Sequence, residues 1–545
     1  MFVVISFIGF TALVGIISYF KSKGDNLSTK DGYFLAGRTL SGVVIAGSLM
    51  LTNLSTEQLI GQSGQSFRSN MGPMAWEATS CLALTFLALW FLPKYLQIGI
   101  TTVPEFLENR YDSLTKRIIS ILFLLGYLFT YLPTVLYSGA LVLNQIFGVD
   151  KIFGVTQFQG VIITVVALGI VSSIYAIFGG LKAVAVSDTV NGVGLLIGGF
   201  MVPILAIFAL GQNDGFIAGV RNLINMVPAE KWNAINPVDA LPPMVPWPIL
   251  FTGMLFNNLF YWCTNQSIIQ RTLGAKNLKE AQKGAILAGF LKLVTPWFIV
   301  LSGIIAYRMY MNPSEGFFTE TQISNLAQNG DLAYPTLVLN VMPKPLLGFF
   351  AAVLFGAILS SFDSALNSSS TMYTLDIHRE VFNRNATDEQ LVKVGKIFGT
   401  GLALVSILVA PLVSFAPTGL YDFLQECFGF YSMPILAIVI VGLASKRVPA
   451  SAPKIVLVFH IILYTLSKFL PLQVHYLYVL SVLFPLDVLV MLLVGKLHPR
   501  KTDYILPESH AVDLTPWKYA KPCAACSIIL MLAEYLLFSP VGLAK

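Results

Sequence analysis

Apolar runs long enough to cross a bilayer recur along this chain at short intervals. They fall near 2–20, 40–66, 75–97, 118–147, 155–179, 183–212, 246–270, 281–311, 345–375, 395–416, 419–445, 453–471, 473–495 and 522–541, fourteen in all. About 20 apolar residues span the hydrocarbon core as a helix, and only helices or closed barrels satisfy their own backbone groups there. Runs of this length select helices. With 545 residues, 55% hydrophobic and only 11% charged, the chain has far more apolar surface than a soluble core can use. The expected class is an all-α polytopic membrane protein of about 14 transmembrane helices. The first run lacks a basic leader and a small-residue cleavage site, so it reads as a retained span.

The net charge of +6 reflects topology. Loops at 21–39, 94–118, 180–187, 271–283, 376–396, 446–454 and 496–521 carry 25 of the 34 Lys and Arg residues, against 8 on the opposite side. The positive-inside rule then puts both termini on the outer side. The charge gives no reason to invoke nucleic acid. No GxxxxGK[ST] loop is present, which argues against direct use of ATP. Cys523 and Cys526 form a lone CxxC without a second pair or nearby histidine, so all five cysteines read as packing residues. No enzymatic site is expected.

Two polar interruptions break the apolar pattern. SLMLTNLSTEQLIGQSG at 48–64 places Thr52, Asn53, Ser55, Thr56, Glu57 and Gln58 inside a span. Asn257, Asn258, Tyr261, Trp262, Thr264, Asn265 and Gln266 interrupt the seventh. Polar backbone at bilayer depth is tolerated only where protein buries it or where it lines a cavity. Each interruption opens a set of five spans, and an odd number per set makes the second enter from the opposite face, the pattern of inverted-repeat transporters. The expected organisation is an extra span and cytoplasmic loop at 1–39, a first repeat at 40–212, an external loop at 213–245, a second repeat at 246–446, and three peripheral spans at 447–545. Gly194, Gly198 and Gly199 form a small-residue face suited to close helix packing.

YFLAGRTL at 33–40, the 48–64 stretch, FYWCTNQSIIQRTLGAK at 260–276, AQKGAILAGFLK at 281–292 and GAILSSFDSALNSSST at 356–371 resemble the solute:sodium symporter family. Its sodium/glucose and sodium/galactose cotransporter branch is the most similar. The resemblance implies a LeuT-type fold of ten core spans in a 5+5 inverted repeat, flanked by one span before and three after, and working by alternating access. It implies Na⁺ as the coupling ion, held by backbone carbonyls at the first helix break and hydroxyls on the eighth core helix. Those positions are Leu51, Leu54, Ala357, Ser360 and Ser361. Neutral oxygens in a small cage suit dehydrated Na⁺.

The sugar-binding positions of the family fall on Gln58, Glu77, Ser80, Asn258, Lys292 and Gln425, all of the residue types found in the bacterial galactose carrier. Amides bond a hydroxyl as donor and acceptor, while Glu77 accepts and Lys292 donates. Glu77 and Lys292 are intramembrane charges and need partners; a purely structural ion pair between the third and eighth spans is the alternative. The resemblance makes Tyr261 the inner gate with Trp262 beside it, and puts Tyr137, Gln62 and Tyr421 at outer-gate or wall positions. Gln62 and Tyr421 are more polar than their counterparts. Asp363 stands where relatives carry a small residue or a hydroxyl, and Asp188 matches an aspartate of a second ion site. Either these two bind a second cation or share a proton, or Asp363 pairs with a Lys or Arg from the cytoplasmic side.

The expected function is sodium-coupled import of a neutral monosaccharide, galactose- or glucose-like, across a bacterial inner membrane. The partners are then the sugar, the sodium ion and the bilayer, with no obligate protein partner. Alternatives are a sodium symporter for a polyol, glycoside or sugar acid, and a membrane receptor that does not transport.

Overall fold

The computed structural model describes residues 2–23, 27–242, 244–415, 420–470 and 473–545, with backbone alone at 22 and 175–179. Among these residues, helices are joined by short loops, and pairing outside them is limited to three isolated backbone bridges.

The helices that matter are α1 (Phe2–Ser22), α2 (Gly42–Asn53), α3 (Thr56–Arg68), α4 (Met74–Ile98) and α5 (Ser113–Phe147). The stretch Gln157–Gly211 follows and breaks at Gly180, where φ is +62° and ψ 177°. A side chain there would be strained, and glycine allows the chain to leave one helix and enter another. Its halves are α6 (157–179) and α7 (181–211). Next come α8 (Gly253–Cys263), α9 (Gln266–Leu273), α10 (Leu278–Met311), α11 (Lys344–Met372), α12 (Asp388–Val409) and α13 (Leu420–Ala444). The chain closes with α14 (Ser451–Phe469), α15 (Tyr476–Leu497) and α16 (Ala520–Leu537).

Twelve helices among the described residues are long and apolar enough to cross a membrane, and the bent pair α2/α3 makes a thirteenth. The expected count of fourteen is reached only by adding α8/α9, whose polar residues keep it below that threshold. The chain is a multi-pass membrane protein. The connection 213–245 carries a helix at Gly215–Met226, and 312–344 carries helices at Glu320–Gln328 and Ala333–Val341.

Both breaks fall among short polar residues, and at the second one a side chain bonds the local backbone in place of the helix. Between α2 and α3, Leu54 (φ −87°, ψ 94°) and Ser55 (φ −120°, ψ −177°) are extended, and the two helices meet at a 60° bend. Between α8 and α9, Asn265 leaves helical geometry (φ −69°, ψ 122°) and caps α9 by accepting from Ser267 N.

The two broken spans sit in the middle of the bundle. Helix α2 packs on α7 and α10, α3 on the second half of α10, and α11 on α1, α5 and the 157–211 stretch. The glycine face of α7 receives aromatic rings: a Cβ on Gly198 would lie 2.7 Å from Phe350, and one on Gly199 2.7 Å from Phe298. Helices α14 and α15 pack on each other and on the outer side of α13. Of the cysteines, Cys81 and Cys263 are buried as expected, whereas Cys526 is exposed on α16.

Candidate functional site

Burial at the first break is the starting point. Thr52, Asn53, Ser55, Thr56, Glu57, Gln58, Gln62 and Gln65 are all buried, although apolar packing gives none of them a partner. Helical spacing puts Gln58, Gln62 and Gln65 on one stripe of α3. The carbonyl oxygens of all three make no hydrogen bond, and neither does Gln65 Nε2. Unmet polar atoms in such a row are costly unless a ligand or water meets them.

That stripe faces a buried ion pair. Lys292 Nζ of α10 bonds Glu77 Oε2 of α4 and also Asn53 Oδ1, and both charged side chains are 1% exposed. Gln62 Nε2 donates to the other oxygen, Glu77 Oε1, at 2.7 Å. The expected partners thus meet, and Gln62 is part of their network. Trp262 lies with its ring centre 5.8 Å from Lys292 Nζ, and Tyr261 packs edge-on against Trp262 at 5.3 Å.

The remaining sugar-site expectations fall on the same walls. Ser80 Oγ donates to Trp76 O at 2.8 Å and to Asn258 Oδ1 at 3.2 Å, while Asn258 Nδ2 donates to Thr79 Oγ1 at 2.7 Å. Asn257 Nδ2 donates to Gln425 Oε1 at 3.2 Å, tying α8 to α13. Tyr421 packs edge-on against Trp76 at 5.3 Å, and a Cβ on Gly61 would come within 2.5 Å of Tyr421 Cβ. Tyr421, Trp76 and Gln62 therefore form one wall. Tyr137 is half-buried and makes no hydrogen bond among the described residues; its neighbour Ser138 contacts the break instead, through Thr56 Oγ1 at 3.0 Å.

One helix turn away, the break lies against α11. Ser361 Oγ donates to Thr52 O at 3.1 Å, and the Thr52 and Ser364 hydroxyls are 3.0 Å apart. Ser360 Oγ makes no hydrogen bond. Leu51, Leu54 and Ala357 are fully buried around them, so the expected ion residues line two facing segments rich in neutral oxygens.

Arg271 was missed by sequence reasoning. Counted with the loop at 271–283, it is instead fully buried in α9, which leaves 24 basic residues on that side. Its Nε donates to Thr52 Oγ1 at 3.0 Å, Nη1 to Ser267 O at 2.6 Å, and Nη2 to Ser364 Oγ. The signal was available, because Ser267 and Arg271 are four residues apart in the polar half of a broken span. Asp188 accepts from Ser48 Oγ at 2.6 Å, and among the described residues neither its Oδ1 nor either oxygen of Asp363 has a hydrogen-bond partner.

Comparison with known proteins identifies the family and the fold. Residues 33–452 match the sodium:solute symporter family. The chain is 45% identical to a protein described as the uncharacterized symporter YidK of Escherichia coli (strain K12), over 98% of this chain and 90% of that one. It is 34% identical to the sodium/glucose cotransporter of Vibrio parahaemolyticus, over 83% and 82%. In structure it resembles a Na⁺-coupled sialic acid symporter in a substrate-bound outward-open state, with TM-score 0.76 and 20% identity over 92% of this chain and 99% of that one. The fold is the LeuT-type all-α architecture.

Proposed function

The chain belongs to the sodium:solute symporter family and is a sodium-coupled membrane symporter; on that premise we propose that it imports a neutral monosaccharide, galactose- or glucose-like, by alternating access. The observation that carries this reading is the charge balance of the buried pocket. Lys292 is taken by Glu77 and Asn53, so a solute carboxylate meets no unpaired cation among the described residues lining it. The orphan oxygens of Gln58 and Gln62 accept from hydroxyls, which a neutral sugar supplies in number.

In this reading Gln58, Glu77, Ser80, Asn258, Lys292 and Gln425 hold the sugar. Tyr261 with Trp262 gates it from the inner side, and Gln62, Tyr137 and Tyr421 from the outer. The carbonyls of Leu51, Leu54 and Ala357 and the hydroxyls of Ser360 and Ser361 receive Na⁺. We assign Asp188 and Asp363 to a second cation or a shared proton; a ratio of one sodium per sugar, indifferent to pH, would overturn that assignment.

One ion is sufficient to drive the transport. A charge moving across about 100 mV releases about 2.3 kcal/mol, and a tenfold sodium gradient adds about 1.4. Together they sustain accumulation on the order of several hundredfold. The repeats are assigned to 40–212 and 246–446, and the protein to a bacterial inner membrane with both termini outside. Labelling of terminal tags from one side only tests that orientation.

The function test is uptake of labelled galactose and glucose into proteoliposomes under an inward Na⁺ gradient, with K⁺ as control. Sodium-dependent accumulation, abolished by Asn258→Ala, is expected. No uptake of either sugar from protein that sodium still stabilises would overturn the monosaccharide. A second reading, a neutral polyol or glycoside, draws on the additional amide that Gln62 brings to the wall. It predicts that such solutes compete while hexoses do not.

A further inference from the structure

Two adjoining cavities lie outside the central site, at the helix ends that the charge bias of the loops assigns to the cytoplasm. The first, of about 460 Å³, is polar and is lined by Lys116 and Arg117 at the start of α5, by Arg379 and Arg384 beyond α11, and by glutamates. The second, of about 490 Å³, is an apolar trench between α5, the turn that follows α11, and α12.

The same two helical stripes run through both. On α5, Arg117 lines the polar pocket, and Ile121, Leu124 and Leu128 continue the stripe along the trench at spacings of four, three and four. Opposite, Tyr373 and Ile377 line the trench, Glu380 one turn further on lines the pocket, and Arg384 lines it from the loop beyond Val381. A π-helical turn at Tyr373–His378 lies at this junction, a distortion that recurs at functional sites. The trench floor is left open at Gly401, where an added Cβ would meet nothing within 4 Å.

Charge in the pocket is unevenly satisfied. Lys116 bonds Glu108 at 2.8 Å and Glu380, and lies 3.7 Å from Asp376. Glu105 accepts from Thr101 N at 2.6 Å. The acidic groups are therefore engaged, whereas the guanidinium ends are not. Arg117 and Arg384 donate only through Nε, each to a backbone carbonyl at 3.2 Å, and Arg379 makes no hydrogen bond among the described residues. The rim is apolar and open, with Leu114 47%, Val381 51% and Phe382 68% exposed.

We propose that this pocket and trench hold one anionic phospholipid, its phosphate among Arg117, Arg379 and Arg384 and an acyl chain along the trench beneath Ile121, Leu124 and Ile377. Guanidinium forks match phosphate oxygens, and basic pockets between helices near the membrane surface select anionic headgroups. A free phosphate would use the arginines but would leave the trench without a role, which is why a lipid is the occupant.

The test uses the full-length protein in detergent and native mass spectrometry with titrated dioleoyl phosphatidylglycerol and dioleoyl phosphatidylcholine. Phosphatidylglycerol is expected to bind about tenfold more tightly. The triple variant Arg117→Gln, Arg379→Gln, Arg384→Gln is expected to bring the two lipids within about threefold. Gly401→Leu, which fills the trench without touching the pocket, is expected to weaken phosphatidylglycerol about fivefold. Sodium-dependent thermal stabilisation confirms that each variant is folded, and Arg379→Gln alone, an exposed position, serves where the triple variant does not fold. Equal binding of the two lipids by the unaltered protein would overturn the proposal, as would a preference that survives loss of the arginines. Competition by glycerol 3-phosphate together with no effect of Gly401→Leu would show an anion site only, and would also overturn it.

Discussion

The two broken helices start from the same kind of sequence and end in opposite states of satisfaction. At the second break, Asn265 Oδ1 accepts from Ser267 N at 3.0 Å, Ser267 Oγ at 2.9 Å and Tyr127 Oη at 2.5 Å. Gln266 accepts from Val103 N at 2.9 Å, and Gln270 Nε2 donates to Phe34 O at 2.8 Å. Arg271 spends its donors on three neighbours. At the first break, Ser55 Oγ, Glu57 Oε2 and the amide oxygens of Gln58, Gln62 and Gln65 are unused. A break whose polar atoms are paired within the protein holds a shape. One that leaves them unpaired has capacity for a ligand. In the proposed reading, the α2/α3 side therefore carries the unpaired capacity for a ligand, and α9 braces the opposite side.

Removing one member of the central ion pair should have the largest effect. Lys292→Met leaves Glu77 buried without its cation, and a loss of about 3–5 kcal/mol is expected, read as a lowered thermal midpoint together with loss of uptake. Adding Glu77→Gln should recover stability but not transport; recovery of both would mean that the pair only holds helices together. Next in size, Asn265→Ala removes a cap and strands the Tyr127 hydroxyl, at about 2–3 kcal/mol. If unfolding of Asn265→Ala matches that of the unaltered protein, the second break is not the braced one.

Gln58→Ala should invert that pattern. Its orphan oxygen contributes nothing to the empty fold, so stability should change by less than about 1 kcal/mol, while KM for the sugar rises about tenfold. Equal KM with lowered stability would erase the distinction between the breaks. The smallest effect concerns the outer anchor of α3, where Lys231 Nζ donates to Phe67 O at 2.7 Å and lies 3.7 Å from the centre of the Tyr307 ring. Burial lowers this amine from 10.5 to about 8. Between those values the unfolded chain binds the extra proton, so the contribution of Lys231 to stability rises with pH; below about 8 both states are charged and the slope vanishes. Lys231→Met should flatten that part of the curve, measured as thermal midpoint against pH.

Much of this was legible before any coordinates. Polar residues inside an apolar run can only be buried in protein or line a cavity, so Thr52 to Gln58 pointed to a site by physical necessity. Glu77 and Lys292 had to find partners for the same reason, and they found each other. What escaped was the role of residues whose partners are distant in sequence. Arg271 looked like the first basic residue of a loop because hydropathy cannot say where a span ends when the span is broken and polar. That the amide of Gln62 binds Glu77, fifteen residues away, was likewise invisible in the sequence.

Composition and the spacing of apolar runs determined by themselves that this chain is a helical membrane protein, and the local patterns determined where two of its helices must break. Those properties follow from the bilayer, which acts on each segment separately. Which polar atoms are spent within the protein and which are left for a solute, an ion or a lipid was decided only by tertiary structure. A hydrogen bond between α2 and α11, or between α4 and α10, depends on two segments meeting at a particular height and rotation. Neither segment carries that information alone.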